Sequence, residues 1–346
     1  MDWAAAWLAG ALALPASAPP PDAALGRVEV RGEAATPREH KTLAQLFKAQ
    51  ALFEQFHALA PQAGLMFKLH ARTQAERGDA LALGLMTPAG REPIALDAQD
   101  RFAIDPAWRA LPERTELRSR LPDGRVTWRP DIRTPGWPAG ERRLGDLRLE
   151  CRVGFDSGIG RGSGLLARLL TLGADDCADR DWSPSHFADR PVFAVTLVQG
   201  ERRLTLSHRL LHGLRDGSGR DYDWGYALRE RMFRLPLGDA SWPDDTRVVF
   251  EAMDDPPAPP DAGLAALPGG WARAALAPGL SPAEVAERLG PAADDLRFES
   301  GRRLQRHLRE VRTPAGPLRL EWVSLFDADD RLLKAQLRRD QGRGSP

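Results

Sequence analysis

From Gly64 onward the apolar residues fall on every second position, and this alternation, repeated between turn residues, commits most of the chain to sheets with a buried face. Leu65, Phe67, Leu69 and Ala71 alternate with Met66, Lys68, His70 and Arg72, and Leu81, Leu83 and Leu85 repeat the pattern before the turn Pro88-Ala89-Gly90. Glu116 to Leu121, the turn Pro122-Asp123-Gly124 and Arg125 to Trp128 predict a hairpin. Leu147, Leu149, Cys151 and Val153 predict another strand over 146–153. Val192 to Val198 is apolar on both faces and predicts a central strand, followed by strands over 203–208 and 247–253. Short strands without long intervening helices predict an antiparallel β-sandwich of the immunoglobulin or prealbumin kind over 63–253, in one or two sheet pairs. The fold class expected is mainly β with an α+β C-terminal module.

The segments before the sheets have different patterns. Within a helical segment over 27–62, Thr36-Pro37-Arg38-Glu39 has the form of a capping box, and Leu43, Leu46, Phe47, Phe53, Phe56 and Leu59 supply an apolar face that Pro61 ends. Trp3 to Leu14 is a twelve-residue apolar run followed by Ala16-Ser17-Ala18. Such a run is too short to cross a bilayer, which takes about 20 residues. It predicts a signal-peptide-like segment over 1–24 and export to the periplasm of a Gram-negative bacterium, with no transmembrane span after its removal. The alternative is a hydrophobic N-terminal helix that is not cleaved.

At the other end, Asp254-Asp255-Pro256-Pro257-Ala258-Pro259-Pro260-Asp261 can continue neither a ladder nor a helix, and predicts a linker over 254–270. A module over 271–340 and a disordered tail over 341–346 follow. Ser281 and Glu284 form a capping box, Leu280 can staple against Val285, and Gly290-Pro291 ends the helix. Three strands, 303–313, 317–326 and 331–338, come next, the last two joined by Asp327-Ala328-Asp329-Asp330. Leu280, Val285, Leu289, Leu304, Leu308, Leu320, Trp322, Leu325 and Leu333 are its core candidates, and a separately folding unit is expected. The run Gly279-Leu280-Ser281, Val285, Leu289-Gly290 and the ending Phe326-Asp327 to Leu332 resemble the SmpA/BamE-like family of small bacterial envelope proteins over about 278–340. Asp330 stands where that family prefers Gly. The resemblance implies a non-catalytic, interaction-making module with envelope or outer-membrane proteins as partners.

Charge and chemistry narrow the function classes. Lys+Arg 48 against Asp+Glu 48 leaves no net charge, so no global field draws in nucleic acid. Only four of the basic residues are lysine, which fits the codon drift of a GC-rich genome and weakens any single Arg as a recognition signal. Cys151 and Cys177 are either a disulfide, favoured by an oxidising compartment, or two free thiols. Gly162, Gly164 and Ala167 match G-x-G-x-x-A, but no strand-helix-strand unit surrounds them, and no cofactor is expected. His208 and His212, with Asp216, Asp221 and Asp223, define the competing reading, a periplasmic metal-dependent hydrolase. Leu204 and Leu206 predict a strand running into a loop, where residues four apart do not share the approach that zinc requires. His40, His57, His70, His186 and His307 are scattered. A third reading, a glycan-binding sandwich, would use Trp137, Trp182 or Trp224. The expectation is a non-catalytic envelope protein that binds or scaffolds.

Overall fold

The structure, a computed structural model, describes residues 40–72, 81–122, 125–159, 177–178, 184–213, 226–258, 264, 267, 270–271, 274–314 and 316–340. The signal-like segment, the tail and the Gly162-Gly164-Ala167 motif lie outside them. Strand β1 (Lys41–Thr42) leads directly into helix α1 (Leu43–Phe56). The capping box is Thr42 with Gln45: the Gln45 amide donates to Thr42 Oγ1 at 3.4 Å, and the Thr42 amide donates to Gln45 Oε1 at 3.0 Å. The expected Thr36–Glu39 box lies outside the described residues; α1 begins at Leu43, after Lys41 and Thr42, which are held extended by pairing with Leu117 and Glu116.

The strands that follow are β2 (Gly64–Ala71), β3 (Leu83–Thr87), β4 (Gly90–Ile94), β5 (Arg101–Phe102), β6 (Glu116–Ser119) and β7 (Val126–Arg133). They form two antiparallel sheets, ordered β1-β6-β3-β4 and β5-β2-β7. The expected 116–128 hairpin is absent: β6 pairs with β1 and β3, whereas β7 pairs with β2 along its whole length. The chain leaves one sheet at that turn and enters the other. Both sheets and α1 share one core, with Leu43, Leu46, Phe67, Leu69, Leu85, Leu117 and Trp128 at its centre.

The largest departure is at 146–153, which is not a strand. After β8 (Glu141–Arg143) comes helix α2 (Leu144–Asp156). Leu144, Leu147 and Cys151 enter one hydrophobic core, while Leu149 and Val153 enter that of the N-terminal sheets. A helix buried on two sides puts apolar residues at 147, 149, 151 and 153, and thereby imitates the period of a strand. Its second core is closed by the sheet β11-β10-β13-β8, built from β10 (Val192–Gln199), β11 (Arg202–Thr205) and β13 (Arg247–Ala252). The short pair β9 (His186–Phe187) and β12 (Met232–Phe233) lies beside it. β10 is central, as its two-faced apolarity predicts.

Cys151 and Cys177 are joined in a disulfide across 26 positions, resolving the choice between bridge and thiols. Closing a loop of that size is worth about 3 kcal/mol. Reduction is expected to lower the denaturation midpoint accordingly, and Cys151→Ala/Cys177→Ala to show the same loss without reductant; equal midpoints would overturn this.

The C-terminal part comprises α3 (Pro282–Leu289), β14 (Asp294–Arg297), β15 (Arg303–Thr313), β16 (Gly316–Phe326) and β17 (Leu332–Arg339), with sheet order β14-β15-β16-β17. This is one strand more than expected. The Ser281–Glu284 capping box is present. One face of the sheet covers α3, Leu264 and Trp271. The other packs Leu296, Leu304, Val323 and Leu325 against Phe193, Ala194 and Met253. A register shift between Val192 and Ala194 turns two consecutive residues of β10 toward the C-terminal sheet. The Pro-rich segment therefore joins parts with a shared core, and the described residues on both sides of it pack as one unit. Leu333, a core candidate, is 40% exposed while Lys334 is 4% exposed, so β17 presents the opposite residues inward. The protein is mainly β with antiparallel sheets, and no described helix is long and apolar enough to cross a membrane.

Candidate functional site

Strand register dictates which residues of the C-terminal sheet face the middle sheet. Leu308, Glu321 and Arg338 are cross-strand neighbours, as are Arg306, Val323 and Gln336, and Leu304, Leu325 and Lys334. The face that buries Val323 and Leu325 thus also carries Arg306, Glu321, Lys334, Gln336 and Arg338. Lys334 Nζ donates to Glu251 at 2.8 Å and to the carbonyls of Ala252 and Asp255 at 2.7 and 2.9 Å. Arg338 donates to the Phe193 carbonyl at 2.9 Å and to Gln336 Oε1 at 2.8 Å. Both cations lie over the Phe193 ring, at 4.7 and 4.8 Å from its centroid.

Glu321 is fully buried and anchors the opposing segment. The His208 amide donates to its Oε1 at 2.7 Å, Ser207 Oγ donates to Oε2 at 3.1 Å, and Arg306 Nη1 lies 3.4 Å from Oε2. The 3₁₀ turn His208–Leu210, capped by Ser207, then curls so that the His208 and His212 rings meet with centroids 5.3 Å apart. A turn and a left-handed residue, rather than a helix face, bring the two rings together. His212 Nδ1 bonds the Arg229 carbonyl at 3.1 Å. His212 Nε2 and both ring nitrogens of His208 are buried without a hydrogen-bond partner among the described residues.

The electrostatics follow from this enclosure. Burial pushes His208 well below the ordinary histidine range, and His212, Arg338 and Arg306 push it further. Burial brings His212 down to about 3, with only partial relief from the Arg229 carbonyl. Burial raises the Glu321 carboxyl against the opposing pull of Arg338 and Arg306. Both imidazoles are therefore neutral at pH 7. No group of three His, Cys, Asp or Glu able to hold a metal occurs among the described residues. The nearby guanidiniums also oppose a cation at this place. Asp216, Asp221 and Asp223 lie outside the described residues, as do Trp182 and Trp224; Trp137 is half-buried.

A second cluster, which the sequence reading missed, joins α2 to β7 and β9. Glu150 Oε1 accepts from the Ile132 amide at 2.8 Å and Arg142 Nη2 at 2.5 Å, while Oε2 lies 3.4 Å from His186 Nδ1. His186 stacks on Phe233 at 5.6 Å. Burial would raise the Glu150 carboxyl, but Arg142 and His186 bring it to about 2. Asp189, beside them, receives Lys68 at 2.6 Å and both Arg133 Nη atoms at 2.8 and 2.9 Å. A carboxylate on His Nδ1 is an arrangement that general-base chemistry uses, yet here the imidazole is enclosed. No local signal marks Glu150 and His186 as partners, since they stand on separate elements. No family model, curated protein or solved structure matches the chain.

The remaining histidines make contacts of their own. His40 lies 3.7 Å from Glu116, His57 packs on Phe53, His70 on Phe187, and His307 bonds the Gly290 carbonyl.

Proposed function

We propose that the chain is an exported, non-catalytic cell-envelope protein that binds or scaffolds other envelope proteins. The observation that carries this reading is enclosure: His208, His212, Glu321 and Arg338 are each 0% exposed, and Glu150 and His186 lie between packed layers. Groups that no substrate atom reaches hold layers together rather than turn over a substrate. The Cys151–Cys177 bridge supports an oxidising compartment such as the periplasm. The common core of the two N-terminal sheets supports the sandwich reading of that region.

The C-terminal helix and antiparallel sheet support the SmpA/BamE-like reading, and one detail speaks for it in particular. Asp330, which stands where that family prefers Gly, has φ +55°, the left-handed region that favours Gly. Asp330→Gly relieves about 1 kcal/mol of backbone strain while losing exposed pairs to Arg297 and Arg303 of about 0–1 kcal/mol. A near-neutral change in stability is expected, whereas Asp330→Val is destabilising; equal losses in both would remove this support.

A periplasm-dependent reporter fused after residue 60 tests export: activity is expected, and a signal from cytoplasmic reporters alone overturns it. Metal analysis of protein purified without chelator tests the binding reading. A stoichiometric metal lost in His208→Ala would replace it with the hydrolase.

A further inference from the structure

His212 combines three features that a merely structural residue rarely shares. Its φ is +60°, left-handed for a residue with a side chain; it is fully buried; and its Nε2 has no hydrogen-bond partner among the described residues. His208 beside it is equally buried and has no partner for either ring nitrogen. The pair lies where the middle of the chain meets the C-terminal sheet.

Among the described residues, the groups around the pair come from several elements. Ser207 precedes it, and Arg229 both accepts from His212 Nδ1 and donates to the His212 carbonyl at 2.9 Å. Phe298, following β14, stands edge-on to the His212 ring at 5.1 Å. Arg306 of β15, Glu321 of β16 and Arg338 of β17 complete the surroundings. A proton on either ring would therefore meet Arg338, Arg306 or Arg229. The Glu321 carboxylate is already engaged by the His208 amide, Ser207 and Arg306.

We infer that His208 and His212 form an acid-sensitive latch: both rings must be neutral for the C-terminal sheet to stay closed on the middle sheet, and mild acid favours an opened form in which they take up protons. The latch does not depend on the export or binding reading, since it concerns only the closure of these layers.

The sign follows from linkage. Above about pH 7.5 both forms carry neutral rings and closure is pH-independent. Below it the opened form binds protons that the closed form refuses, so closure weakens as pH falls. Each ring contributes up to about tenfold per pH unit, or roughly 30-fold between pH 7.5 and 5. Glu321 works in the opposite direction, because its carboxyl is raised in the closed form. The net expectation is a loss of closure between about tenfold and 1,000-fold over that range.

Hydrogen exchange of the β15–β17 amides in the full chain, corrected for intrinsic rates, reads the closure directly. Protection is expected to fall by that factor from pH 7.5 to 5. The double variant His208→Gln/His212→Asn removes both titrating rings while Asn tolerates the left-handed backbone, and its protection is expected not to fall toward pH 5, because Glu321 alone remains and works in the opposite direction. Constant protection in the wild type, or an undiminished pH dependence in a folded variant, overturns the latch. Should the variant fail to fold, ring titration by NMR on the wild type decides. Rings that stay neutral while the sheet is protected, and protonate only as protection is lost, support it. Rings that protonate near pH 6.5 with the sheet still protected overturn it.

Discussion

Gly145→Ala is expected to destabilise the protein by about 3 kcal/mol or more, although it adds one methyl to a helix and Ala has the higher helix propensity. Gly145 lies in the first turn of α2, where its amide donates to the Asp244 carbonyl at 2.8 Å. A Cβ there would stand 2.1 Å from the Leu59 carbonyl oxygen, 2.8 Å from Arg143 Nη1 and 3.0 Å from Asp244 Cβ. The nearest of these is backbone, and Arg143 holds it with a 2.6 Å hydrogen bond, so neither side can yield. Gly154, in the last turn of the same helix, is the control. Its Cβ would meet only Pro130, at an ordinary 3.5 Å. Gly154→Ala should therefore raise stability by about 0.5–1 kcal/mol. Denaturant midpoints separate the two, and a Gly145→Ala loss below about 1 kcal/mol would show that α2 can slide away from the Leu59 turn.

Arg142→Met should cost about 3–5 kcal/mol at pH 7, because it leaves Glu150 buried without its cation. In the wild type Glu150 titrates at about 2, against 4.5 when unperturbed. Its folded value is depressed, so its contribution is present above pH 4.5 and is lost as pH falls toward 2. Without Arg142, burial dominates and the carboxyl takes a proton at higher pH. The deficit of the variant is therefore expected to be largest above pH 4.5 and to shrink in acid. Denaturation curves at pH 7 and pH 3.5 check this; a deficit independent of pH would mean that Arg142 acts through its bond to the Ile132 carbonyl rather than through charge.

The elements that the sequence made legible are those whose signal lies in consecutive residues. β2 and β10 form where their apolar runs place them, although both are buried on two faces, and α3 carries its capping box in local residues. α2 was misread because two cores meet on it, so that position 149 is as buried as 147 and 151. The polar interface was hidden for a related reason. The register that buries Val323 also buries Arg306 and Gln336, and an Arg at an inward position reads as solvated until its neighbour across the layer is known. His208 and His212 stood out as a spacing, but a 3₁₀ turn and a left-handed residue bring their rings together, and neither is written in a period.

The shared core of β10 and the C-terminal sheet also dictates an order of events. Phe193 is covered on its far side by Arg338, 145 positions later in the chain. A chain delivered from its N-terminus, by a ribosome or through a membrane pore, carries Phe193 and Ala194 uncovered until its last strands emerge. Contacts of such sequence separation form late and slowly. During that interval the apolar face of β10 that carries Phe193 and Ala194 is open to other chains. The step most sensitive to truncation, to early release or to a binding chaperone is thus the arrival of β16 and β17, which follow β10 by more than a hundred residues.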